Sequence, residues 1–137
     1  MRYSSGFTLV EMLIVVAVMA VIVSISGVFL NRSVQQQRLN EAATVLSESL
    51  RQAANKAMTE SRFIDVEVKG DKVTWLASSD SSAIKTVLIP NKALVSPVKT
   101  IKLTGRGLPE TAQVFTASLN GKTKTISLLP TGVVMIR

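Results

Sequence analysis

The sequence predicts an α+β protein in which a long N-terminal helix packs on an antiparallel β-sheet. Three observations carry this. Residues 12–30 form a run of 19 without a charge. Apolar residues then recur at helical spacing from Leu39 to Ala57. From Ile64 onward the hydrophobic period falls to two, and Gly, Pro and Asn-Gly break it into short segments.

The uncharged run comes first. At 1.5 Å per residue, 19 helical residues span roughly 29 Å, close to the hydrocarbon thickness of a bilayer. It is preceded by Ser4, Ser5 and Gly6 and by one acid, Glu11. A secretory signal peptide would place its small residues after the apolar core, whereas here they stand before it. Any cleavage is therefore expected between Gly6 and Phe7, leaving the apolar helix on the mature chain. The organisation read from this is a leader at 1–6, a membrane helix at 7–30 and a soluble domain at 31–137.

The helix is expected to continue to about Glu60. Leu39, Ala43, Leu46, Leu50, Ala53 and Ala57 are spaced 4, 3, 4, 3 and 4 apart, which is one face. Neither Pro nor Gly occurs from Val28 to Phe63. Residues 31–37 are the least apolar part and the place for a bend or local melting.

The sheet follows. Ile64, Val66 and Val68 alternate with Asp65 and Glu67. Residues 69–72 turn, and 73–76 return as a hairpin. Residues 78–82 read as a loop, 86–89 as a strand stopped by Pro90, and 98–103 as a strand stopped by 105–109. Residues 113–119 and 122–129 flank Asn120-Gly121, which suits a type I′ turn. Pro130-Thr131-Gly132 leads into 133–136. Six or seven strands result, with no internal repeat.

Composition narrows the chemistry. The 137 residues contain no Cys and no His, so disulfides and thiolate or imidazole metal sites are absent and the usual general base is missing. No enzyme activity, cofactor or metal is expected. The net charge of +7 arises wholly after residue 80, where eight cations face Glu110 alone. Asp65 and Glu67 share a strand face but have no nucleophile near them in sequence, and read as a solvated hairpin face. Trp75 reads as a packing residue. Gly105-Arg106-Gly107 is too short for a phosphate loop and reads as a turn. Asn31-Arg32-Ser33 matches a glycosylation sequon that is common by chance.

Gly6-Phe7-Thr8-Leu9-Val10-Glu11-Met12 strongly resembles the cleavage and methylation motif of type IV pilins and type II secretion pseudopilins. Residues 37–68, Trp75 and residues 126–132 look similar to GspH/FimT-type minor members of that family, and the missing C-terminal disulfide loop points to a minor component. The resemblance implies a pilin fold. It also implies removal of residues 1–6 by a prepilin peptidase, N-methylation of Phe7, and a register role for Glu11, which would neutralise the Phe7 amine of a neighbouring subunit. Phe7 and Glu11 stand at i and i+4 and could meet on one helix. The implied location is the bacterial inner membrane, single-pass, with the soluble domain extracytoplasmic. The implied partners are other pilin or pseudopilin subunits, the processing peptidase/methylase and the membrane. Some FimT-type relatives are DNA receptors, so Arg106, Lys122 and Lys124 are the candidate nucleic-acid contacts. This chain ends Val-Val-Met-Ile-Arg and lacks the basic Gly-Arg-x-Arg tail usually assigned that task.

Overall fold

The computed structural model describes residues 7–137, apart from the side chains at 25–30. Helix α1 spans Leu9–Glu60 and is followed by strands β1 (Ile64–Gly70), β2 (Lys72–Ala77), β3 (Ala83–Leu88), β4 (Leu94–Leu103), β5 (Gln113–Leu119), β6 (Lys122–Leu128) and β7 (Val134–Ile136). The chain divides into two compact units, residues 1–34 and 35–137.

In the first unit, the apolar side chains described between Leu9 and Val23 are exposed on every side of the helix. Ser24, which follows this stretch, donates its hydroxyl to the Ala20 carbonyl at 2.8 Å. That bond satisfies the polar group inside the helix itself. Residues 31–37 are helical throughout, so the expected local melting does not occur. Among the described residues no helix is long and apolar enough to cross a membrane. Part of the uncharged run, the side chains at 25–30, lies outside that description.

The second unit is one helix segment on one sheet. All six residues of the anticipated stripe are buried, and Ala42 and Ala54 widen it. Five of these eight residues are alanine, which lets the backbone of α1 approach the sheet closely. The opposing layer is Ile64, Val66, Val68, Val73, Trp75, Ile101, Leu103, Phe115, Ile126 and Leu128. These are the alternate residues of their strands, as the period of two demands.

The sheet is antiparallel with order β3-β2-β1-β4-β5-β6-β7. It consists of two meanders joined between β1 and β4. The crossing segment 89–93 includes a 3-10 turn at Pro90–Lys92, and the Ile89 N–H is held by the Asp71 carbonyl at 2.7 Å. β4 begins four residues earlier than the alternation indicated. Pro97 lacks an N–H, and the β4–β5 ladder stops at Ser96, just before it. The β1–β4 register also shifts between Val68 and Gly70, which accommodates the irregular stretch.

The helix ends in a Schellman arrangement. Ser61 adopts a left-handed conformation at φ 48°, its N–H bonds to the Met58 carbonyl, and the Arg62 N–H reaches the Ala57 carbonyl. Glu60 stands unfavourably at this negative dipole end but is paired with Lys56 and Arg62. The Lys56 hydrogen bond, foremost, holds the Glu60 carboxyl below its ordinary value.

One polar contact crosses the core. The Trp75 indole N–H donates to Ser49 Oγ at 3.0 Å, with both residues buried. Lys85 of β3 lies 4.8 Å above the Trp75 ring and donates to Gln52 Oε1 at 3.0 Å, tying the edge strand to α1. Replacing Ser49 by Ala strands the indole N–H, and a buried donor without a partner costs about 1–3 kcal/mol. Trp75 is the sole tryptophan, so urea unfolding of S49A followed by its emission measures this directly. The expected result is a lower midpoint at unchanged slope. An unchanged midpoint would show that the bond contributes nothing.

Candidate functional site: the start of the apolar helix

The sequence places its most specific motif at residues 6–12, and the structure shows how the motif opens the helix. Thr8 is the N-cap. Its Oγ1 accepts a hydrogen bond from the Glu11 N–H at 3.2 Å, and its carbonyl accepts one from the Met12 N–H at 3.2 Å. Thr8-Leu9-Val10-Glu11 is thus the S/T-x-x-E spacing of a capping box, with the Thr8 half formed. Sequence reasoning passed over Thr8, although this spacing was available to find it. Glu11 is exposed in the first turn, where the positive end of the helix dipole favours a carboxylate.

The cap corrects one expectation. Phe7 stands before the N-cap and outside the helix, so Phe7 and Glu11 are not an i, i+4 pair on a helix face. The hydroxyl at position 8 intervenes and takes the N–H that starts the first turn. Phe7 is 70 % exposed. Gly6 lies outside the described residues. A cut between Gly6 and Phe7 would leave the cap intact and set the new amine immediately before it.

The remaining candidates lie in the second unit. Lys122 and Lys124 do share a strand face, through their register with Leu119 and Ala117, and both are half-buried on the helix-facing side. Arg106 is exposed at the tip of a turn closed by Thr104 and Leu108. Gly107 in that turn has φ +70° and abuts the Ala54 carbonyl so closely that a Cβ there would lie 2.6 Å from it. The hairpin of Lys122 lies instead beside Arg38. Residues 38 and 54 are separated by roughly 24 Å along a helix axis. The structure therefore does not bring Arg106 together with Lys122 and Lys124.

Asp65 and Glu67 lie half-buried on the sheet face away from α1 rather than fully solvated. Glu67 is paired with Lys69 at 2.7 Å, and one Asp65 carboxylate oxygen is enclosed without a partner. Trp75 packs as expected. Among the described residues no group of three or more potential ligands could hold a metal.

Comparison with known proteins bears on the N-terminal motif and on the fold. Residues 1–27 match the family described as the prokaryotic N-terminal methylation motif. A helix with that N-terminal motif, packed on an antiparallel sheet, is the pilin fold. Two crystal structures of the type IV minor pilin FimU of Pseudomonas aeruginosa strain PAO1 share it. One superimposes with a TM-score of 0.62 at 20 % identity, covering 80 % of this chain and 92 % of that one. The other gives 0.60 at 20 % identity, covering 72 % and 91 %. No curated protein matches the chain.

Thr8→Ala removes the cap acceptor, and such losses cost about 0.5–2 kcal/mol of helix stability. Amide exchange in detergent micelles is expected to quicken at Val10 and Glu11 while the amides of β1 and β5 stay unchanged. Equal exchange at Glu11 in both chains would contradict the capping role.

Proposed function

We propose that this chain is a minor pilin subunit of a type IV pilus, acting by assembly rather than catalysis. One observation carries the reading: a prepilin methylation motif opens a helix whose apolar side chains are exposed on all sides. A helix apolar all round needs a cover of lipid or protein. The prepilin peptidase would remove residues 1–6, and the new terminus at Phe7 would be methylated. Residues 7–30 would hold the precursor in the inner membrane as a single pass, with residues 31–137 extracytoplasmic. The internal hydrogen bond of Ser24 suits such an environment, where no water is present to satisfy a hydroxyl.

Assembly then exchanges one cover for another. As the subunit leaves the bilayer, the same apolar surface would pack against the corresponding helices of other subunits. A carboxylate entering that core is costly unless paired. Glu11 sits three residues after the N-cap, one turn from the amine that cleavage creates. It would neutralise the amine of a neighbouring subunit and so fix axial register. The second unit would present its surface at the filament exterior.

A type II secretion pseudopilus uses the same N-terminal chemistry, and residues 37–68 look similar to the GspH/FimT type. The fold likeness to a pilus subunit favours the pilus. The DNA-uptake reading would rest on Lys122 and Lys124, which share a strand face, without help from the distant Arg106.

Two variants test the reading. Gly6→Asp is expected to yield an uncut precursor that remains in the membrane and is absent from sheared filaments. Glu11→Ala is expected to be cut normally yet enter filaments at least tenfold less, a loss of about 1.4 kcal/mol or more in pairing. Processing of G6D at the native rate would sink the prepilin reading. Native incorporation of E11A would remove the register role.

A further inference from the structure

At the end of the second unit where α1 enters it, four segments distant in sequence meet. They are the α1 residues around Arg38, the turn 90–92, the start of β4 and the β5–β6 turn. Together they form an open cleft of about 370 Å³. Arg38, Asn91, Lys92, Ser118 and Asn120 supply its polar lining, and no carboxylate is among its lining residues. The nearby carboxylate of Glu41 is occupied by the Asn91 side-chain amide, which donates to Glu41 Oε2 at 2.8 Å and to the Arg38 carbonyl at 3.4 Å. The Ser118 hydroxyl is donated to the Leu94 carbonyl at 3.2 Å, which leaves the two cations and the Asn120 amide around a concave surface to suit an anion with several oxygens. Leu94, which is 57 % exposed, and Leu119 add an apolar rim that an inorganic anion would not need.

The backbone here is unusual. Asn91, Lys92 and Asn120 all adopt left-handed φ, at 63°, 57° and 50°. Lysine is rarely found there. The strained turn thus sets Lys92 at the cleft.

Position narrows the ligand. Arg38 follows Leu30 by eight residues, which span roughly 28 Å at most even fully extended. A chain anchored by residues 7–30 therefore keeps this cleft within reach of the bilayer surface. We propose that the cleft takes the phosphate headgroup of an anionic phospholipid, docking the globular unit on the membrane before assembly. The proposal rests on the anchor reading above.

The absence of cysteine makes the test clean. Thr123→Cys, exposed beside the hairpin turn, takes a single donor fluorophore on the full-length chain. The chain is reconstituted into vesicles bearing an acceptor on a headgroup. Transfer is expected to be higher in vesicles containing phosphatidylglycerol than in phosphatidylcholine alone. The increment should vanish at high salt, which screens the contact, and in the Arg38→Gln/Lys92→Gln variant. Trp75 emission checks that this variant is folded. Equal transfer in both vesicles overturns the proposal. So does an increment that survives the double substitution, which would place the contact elsewhere. A response on phosphatidylcholine vesicles to inorganic phosphate or to duplex DNA, without one to phosphatidylglycerol, overturns it in favour of a free anion or a nucleic acid. Failure to enter phosphatidylcholine vesicles at all contradicts the anchor reading instead, because neutral lipid makes no demand on the cleft.

Discussion

Twelve large apolar side chains, from Leu9 to Val23, stand exposed on the first part of α1, and Phe7 stands exposed just before it. Burying each is worth about 1.5–3 kcal/mol, so together they represent tens of kcal/mol of surface that water does not tolerate. The same helix, continued beyond residue 38, carries a one-sided stripe that its own sheet buries completely. One element thus meets two different demands. Its second half is satisfied within the chain, and its first half only by something outside it.

This division explains why the chemistry lies where it does. Glu11 is the one acid in the apolar half, and it lies in the first turn, where Thr8 caps the helix and the dipole is favourable. A carboxylate placed three turns later would face the same apolar cover without those compensations. The globular unit is correspondingly free of conspicuous chemistry. Its buried polar contact, Trp75 to Ser49, serves to register the sheet on the helix, and the alanines of α1 set how closely the layers meet. The cleft at the entry end gathers Arg38 and Lys92 from separate segments without carboxylates in its lining.

Much of this was legible in the sequence because the periods are strong. The 4-3-4-3-4 stripe named buried residues of α1, and alternation in residues 64–68 named an inward face. Asn120-Gly121 located its hairpin. What was missed has physical causes. β4 begins before Pro97, and a proline in a strand pattern reads as a stop unless the ladder happens to end there. The two-meander order depends on a crossing at residues 89–93 that no local pattern encodes. Phe7 was read as helical because apolar periodicity does not mark a cap, whereas Thr8 and Glu11 do. The basic residues were read as a list along the chain. Folding separates Arg106 from Lys122 and instead brings Arg38 and Lys92 together from 54 residues apart.

The account depends most on the external cover of residues 9–23, and this can be measured in place. Val16→Cys and Leu88→Cys, each in the otherwise cysteine-free chain, would be exposed to a membrane-impermeant maleimide in the membrane-resident precursor and in sheared filaments. Both residues are about two-thirds exposed in the isolated chain, at 64 % and 69 %. The account predicts that residue 88 reacts in both states and residue 16 in neither, because lipid covers it in the first and other subunits in the second. Reaction at residue 16 as rapid as at residue 88 in either state would contradict it.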